Sequence, residues 1–289
     1  LSVCKETLHP RALDPQVTGD DEITEETFSQ AYIRLDAMAH DLGVAVGEDN
    51  DLIDQLLPAL VNSRSPRIKP FCKGLASRIA EMSYLLECCC TVWKQTDPYT
   101  RTLDMLIGSL EQYSVSDRTS YELFLDRLMA DADFSIVFPC IQLGLDIDHQ
   151  AVERLIACIN LRTAPLGSYR NLGHASVVSR IDRDRLLLLL ARLRDVEHGD
   201  LVILDSLSLL VSLSGSDQLP ISYLDFAREV LARQDFSRSI VRPNSDYDLE
   251  RIAKASLSGE QGAEAARIVS ANLLAGILNY SVTGYGDHP

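Results

Sequence analysis

Positive charge is what this sequence is short of. Its 27 Lys and Arg stand against 42 Asp and Glu, for a formal net charge of −15. Duplex nucleic acid and anionic membranes are held mainly through an excess of Lys and Arg, so neither is expected as the main partner. Long apolar runs are missing too. The longest aliphatic stretch, Leu186 to Ala191, falls far below the ~20 residues that a bilayer demands. Glycine-rich phosphate cradles of the G-x-x-x-x-G-K or G-x-G-x-x-G kind do not occur, and neither does a G-x-S-x-G elbow or an H-E-x-x-H helix. Each of these supplies a specific piece of catalytic geometry, so no common class of enzyme is indicated.

Cysteine is present in a layout that argues against disulfides. Cys4, Cys72, Cys88, Cys89, Cys90, Cys140 and Cys158 are odd in number and three are adjacent. That favours a reducing setting, intracellular and in the cytoplasm. No C-x-x-C occurs and no His stands at ligand spacing from the Cys88 to Cys90 run, so neither structural zinc nor another cofactor is expected. On a helix Cys89 and Cys90 fall near the apolar side as small hydrophobes, with Cys88 turned outward as a thiol. The chain starts at Leu1 without Met, and its first ten residues are no signal peptide. It reads as a piece of a larger protein or a processed product.

What is there is enough for a core. With 289 residues, 46% hydrophobic, the chain makes one large domain or two small ones and can bury roughly three quarters of its unfolded surface. The negative charge is local. Residues 14 to 54 hold twelve acids against one base, Arg34, whereas Arg64, Arg67, Lys69, Lys73 and Arg78 follow with no acid until Glu81. The acidic region is therefore expected to dock on the basic one and to compete with a partner for it.

From Ile23 onward the apolar residues recur at helical spacing, with no alternation long enough for a strand, so the fold is expected to be all-α. Residues 1–22 read as an acidic, flexible segment, 23–162 as an N-terminal helical half, 163–174 as a loop, 175–283 as a C-terminal helical half and 284–289 as a tail. A helix over 49–62 carries Pro58 as a kink. The next, opened near Pro66, brings Ile68, Phe71, Leu75, Ile79 and Met82 within an arc of about 80°, between basic shoulders. Further helices are expected over 98–113, 117–131, 134–144 (interrupted by Pro139), 148–162, 175–195, 200–213, 220–233, 246–257 and 260–279. Residues 163–174, with Pro165, Gly167 and Gly173, break the helical pattern.

Three segments go beyond periodicity. Leu56-Leu57-Pro58-Ala59-Leu60, then a polar turn, then Gly74-Leu75-Ala76 within a second helix, resembles a HEAT repeat. Trp93 to Pro98 followed by Leu103, Leu106, Ile107, Gly108 and Leu110 is similar to the Asp-Pro turn and second helix of such a unit. Phe138-Pro139 with Asp146-x-Asp148 resembles a third. The resemblance covers about a third of the chain and implies an α-solenoid of stacked helical hairpins. Its turns are unequally spaced, so an irregular multi-helix domain stays open as the alternative.

Chemistry-bearing constellations are few. The pairs Asp20/Asp21, Asp131/Asp133, Asp146/Asp148 and Asp182/Asp184 offer oxygen ligands. On a helix, however, i, i+2 carboxylates point about 200° apart, and Asp148 fits a cap better, so no metal site is expected. His149 has Glu153 one turn on. Tyr169, Arg170 and His174 form the richest polar group, in the expected loop. Arg183 stands in a second basic run with Arg180, Arg185, Arg192 and Arg194, and Arg228, Arg233, Arg238 and Arg242 make a third. The leading expectation is a helical-repeat scaffold that holds a protein partner within a larger intracellular protein. Binding of a phosphate ligand or nucleic acid through Arg67, Lys69, Lys73, Arg78 and Arg183 is the second, with nucleic acid disfavoured for want of aromatics beside the bases. An all-α enzyme with a site around Tyr169, Arg170 and His174 is the third.

Overall fold

The computed structural model describes residues 25–214, 219–234 and 245–283, and among them every regular element is helical. The chain divides into two units, Leu1–Leu145 and Asp146–Pro289. The division thus falls before residues 148–162, which join the second unit. The expected acidic segment 1–22 and the tail 284–289 lie outside the described residues.

In the first unit the helices are α1 Glu25–Val46, α2 Asn50–Asn62, α3 Ile68–Ala76, α4 Met82–Gln95, α5 Asp104–Ser116, α6 Arg118–Ala130 and α7 Phe138–Gly144. Aspartates set where several of them begin. Asp49 accepts the Leu52 N–H at 3.0 Å and Asp117 the Ser120 N–H at 3.0 Å, each satisfying a donor that the first helical turn leaves orphaned. Three elements differ from the sequence expectation for local reasons. The helix from Pro66 stops at Ala76 rather than running to Met82, because the Ser77 hydroxyl and N–H both turn back onto the Gly74 carbonyl. The helix expected from Pro98 begins only at Asp104. Asp97 accepts the Tyr99 N–H, and Thr102 bonds back to Val61 and Ser63, so the intervening chain is held against the end of α2. Pro139 lies in the first turn of α7 instead of interrupting a longer helix, in the place where its missing N–H costs least.

The packing of this unit alternates. α1 packs on α3, α3 on α5 and α5 on α7, while α2 packs on α4; α5 also meets α4 and α6. The core along the first row holds Ile68, Phe71 and Leu75, three of the five residues expected on that face, all fully buried. Each contributes about 1.5–3 kcal/mol through area removed from water. The row is close enough that backbones touch. A Cβ added to Gly43 of α1 would lie 2.0 Å from the Phe71 carbonyl oxygen, and one added to Gly108 of α5 would lie 2.4 Å from that of Lys69. Trp93 of α4 stacks on Phe134, ring centroids 4.6 Å apart.

The second unit contains α8 His149–Leu161, a 3₁₀ segment Leu166–Gly173, α9 Ala175–Val178, α10 Arg183–Leu193, α11 Gly199–Ser214, α12 Ile221–Ala232, α13 Ser245–Ser256, a short 3₁₀ turn Glu260–Gly262 and α14 Ala263–Thr283. Asp148 and Asp182 cap α8 and α10 through the Ala151 and Arg185 N–H groups; Asp182 thereby splits the single helix expected over 175–195. The packing is again offset by two: α8 on α10, α11 on α13, α12 on α14, with the longer 3₁₀ segment against α11. No described helix is long and apolar enough to cross a membrane.

Residues 163–174 are the main departure from the sequence reading. Pro165 and the two glycines suggested a loop; the structure folds 166–173 into 3₁₀ helix. The reason is Leu166, Tyr169 and Leu172 at i, i+3, i+6. With three residues per turn these align on one side, and Tyr169 and Leu172 are buried there.

Candidate functional site

The basic residues singled out from the sequence do not form a common unoccupied surface. Arg67, at the start of α3, is buried; its Nε lies 3.2 Å from Asp36 Oδ1 and its guanidinium covers the Tyr32 ring at 4.7 Å. Lys69 lies 2.6 Å from Glu111 Oε1 and also donates to the Gly144 carbonyl. Lys73 reaches the other Glu111 oxygen at 4.0 Å, and Arg78 reaches Glu48 at 4.0 Å. The docking of the acidic region on the basic one therefore takes a specific form in the described residues: Asp36 and Glu48 meet Arg67 and Arg78, whereas α5 neutralises the two lysines between them. Arg183 donates to the Ser214 hydroxyl while its carbonyl accepts the Tyr223 hydroxyl, tying α10 to α11 and α12. Arg194 pairs with Glu229, and Arg228 with Asp225; Arg238 and Arg242 lie outside the described residues.

Tyr169, Arg170 and His174 are separated by the 3₁₀ turn. Tyr169 is buried, while Arg170 and His174 are exposed. Tyr169 lines a cleft of about 460 Å³ that neither of the other two enters. The volume is within the range of ~300–1,000 Å³ typical of ligand sites. Its apolar part is made by Ile159 of α8, Leu166 of the 3₁₀ segment, Leu193 of α10 and Val196 of the following turn, with Ala164 beside them. Each element contributes for a local reason: Ile159 and Leu193 close the buried stripes of their helices, and Leu166 begins the i, i+3 row.

Three charged residues complete the lining: Arg162, Asp195 and Glu197. Arg162 is the C-cap of α8 in the left-handed conformation, φ 54° and ψ 34°, its N–H bonded back to Cys158 and Ile159. Glycine normally takes that position, and a side chain there costs roughly 1–2 kcal/mol. Among the described residues the other non-glycine with positive φ is His198, beside Glu197. One strained position thus lines this cleft and the other directly follows a lining residue, and strain of this kind gathers at functional sites. Neither Arg162 nor Asp195 has an ion-pair partner among the described residues; Glu197 has His198 at 3.6 Å.

The remaining candidates make local contacts. Asp131 and Asp133 both hold Lys94, at 2.6 and 3.5 Å. This hydrogen bond keeps the Asp131 carboxyl below, and the Lys94 ammonium above, their ordinary values. With Glu87 and Arg127, 2.5 Å apart, Lys94 and Asp131 rim a smaller cleft of about 220 Å³ over Cys90 and Phe134. His149 stands 3.9 Å from Glu153, as the spacing suggested, with both side chains exposed. Asp20 and Asp21 lie outside the described residues, and among those described no three His, Cys, Asp or Glu side chains converge on a metal position. Cys89 and Cys90 are buried, as expected, and Cys88 is half-buried. Burial pushes the Cys90 thiol up to about 12, with Glu87 adding to the effect.

No family model, curated protein or solved structure matches the chain. The reading of the site therefore rests on geometry. Arg162, Asp195 and Glu197 were not among the residues singled out from the sequence. Their one signal there is an arginine at a helix end where the next glycine, Gly167, comes five positions too late to cap it.

Proposed function

We propose that this chain is a protein-interaction module of stacked helical hairpins, HEAT-like in arrangement, that holds a partner protein. The observation that carries the reading is the cleft of the second unit, whose apolar floor is edged by three charged side chains, of which Arg162 and Asp195 have no ion-pair partner among the described residues. An apolar pocket rimmed by polar groups is what protein-binding surfaces use to seat an anchoring side chain. The packing of helices on their second neighbours within each unit supports the hairpin-stack part of the proposal.

Phosphate or nucleic-acid binding has less support. Arg67, Lys69, Lys73 and Arg78 each have a carboxylate within 4.0 Å, which offsets the attraction such a ligand needs. A catalytic site around Tyr169, Arg170 and His174 has less as well, since only Tyr169 reaches the cleft. Photo-cross-linking tests the proposal. With p-benzoylphenylalanine in place of Leu166, and in place of the exposed Leu123 as a control, extract of the source cells should give a discrete protein adduct through position 166 alone. Absence of any protein adduct, or adducts with nucleic acid only, overturns it.

A further inference from the structure

We infer that the cleft between α8, the 3₁₀ segment and the α10–α11 turn takes a short peptide segment in which a basic and an acidic residue flank a large apolar one. This rests on the interaction-module reading above and adds the chemistry of the partner. The floor of Ile159, Leu166, Leu193 and Val196, walled by Tyr169, offers apolar contact to one large side chain. Asp195 and Glu197 belong to a single turn, two residues apart, whereas Arg162 comes from the end of α8. The cleft thus carries a negative pair from one element and a positive charge from another, and no described residue neutralises Asp195 or Arg162.

A ligand of one charge sign satisfies one of these elements and is repelled by the other. A purely apolar ligand covers the floor and offers the three exposed charges no partner. A segment with opposite charges flanking an apolar anchor satisfies all of them, and the charges then fix its direction more than its affinity. The backbone supports this assignment independently. Arg162 occupies a left-handed cap that glycine would fill without strain. An arginine kept there at the expense of fold stability is explained by what its guanidinium does in the cleft.

The test is selection from a phage-displayed random peptide library on the whole chain. Enriched peptides should share a large apolar residue flanked by one basic and one acidic residue, in a single order. Two variants then read the site. Arg162→Gly should bind a selected peptide about tenfold more weakly while melting at the same or a higher temperature, which separates loss of the site from loss of the fold. Asp195→Lys combined with Glu197→Lys, used in a fresh selection, should replace the basic residue of the enriched peptides with an acidic one. Selected peptides that bind both variants unchanged overturn the inference, while the interaction module stands or falls separately on the cross-link at position 166. No enrichment over background overturns both. Binding of free phenylalanine in the cleft, with no peptide enriched, also overturns it and makes the cleft a small-molecule site.

Discussion

A Cβ placed on Gly74 of α3 would stand 2.0 Å from the carbonyl oxygen of His40 in α1. Gly43 meets α3 in the same way one turn further along α1, so the two helices cross at backbone contact. Neither oxygen belongs to a flexible side chain that can swing aside. Gly74→Ala should therefore force the helices apart and lower stability by about 2 kcal/mol or more. Gly167→Ala is the matched control. Nothing stands within 4 Å of the added Cβ there, and the change should be neutral or gain up to about 1 kcal/mol from the stiffer unfolded chain. Urea titrations of the two variants check the contrast, and equal midpoints would contradict the crossing.

Trp93 is the sole tryptophan, buried on Phe134 with the Arg101 guanidinium 3.5 Å from its ring centroid. Native fluorescence therefore reports on one place. Phe134→Ala should cost about 3–5 kcal/mol and shift the emission to the red as water reaches the indole. Arg101→Ala should cost about 1 kcal/mol with a smaller spectral change. An unaltered spectrum in Phe134→Ala would show that the rings do not stack in solution.

The Lys94 to Asp131 contact gives the stability a pH dependence at both ends. Asp131 titrates below its ordinary value in the fold, so its contribution is complete above the unfolded-state value near ~3.9 and is lost as pH falls through the folded one. Lys94 titrates above its ordinary value, so its contribution is complete below about 10.4 and is lost as pH rises further. Lys94→Met should flatten both limbs of a plot of urea midpoint against pH. Limbs as steep as those of the parent protein would assign the dependence to other groups.

Asp148 should be worth about 1 kcal/mol as a helix cap, and Asp117 should stabilise the start of α6 in the same way. Asp117→Ala and Asp148→Ala each leave a first-turn N–H without its acceptor. Asn in either place should restore most of the loss, since the amide oxygen accepts equally well. Thermal melts of the four variants decide this, and a loss that Asn fails to recover would point to charge instead of hydrogen bonding.

The legible part of the fold was what local chemistry dictates. Asp49, Asp117 and Asp148 mark helix starts because their side chains reach N–H groups three residues on, and Ile68, Phe71 and Leu75 mark a buried face because 3.6-residue spacing aligns them. What failed to show depended on competition between close alternatives. Ser77 ends α3 with its own hydroxyl although the apolar spacing runs on to Met82. Leu166, Tyr169 and Leu172 form a 3₁₀ face that glycines and a proline disguised as a loop. The cleft was hidden for a different reason. Arg162 and Asp195 come from elements separated by 3₁₀ and α-helical segments, and their lack of internal partners is a property of the folded arrangement, which no spacing rule records. Of the residues chosen from sequence as a site, Tyr169 alone lines it.

The offset packing has a consequence for how the protein is made. Every principal contact in the first unit joins helices at most three apart in the chain, such as α1 with α3, α3 with α5 and α2 with α5. A helix leaving the ribosome therefore finds its partner already waiting or only one hairpin behind. The first unit can close its core in order of synthesis, before any residue of the second has been translated.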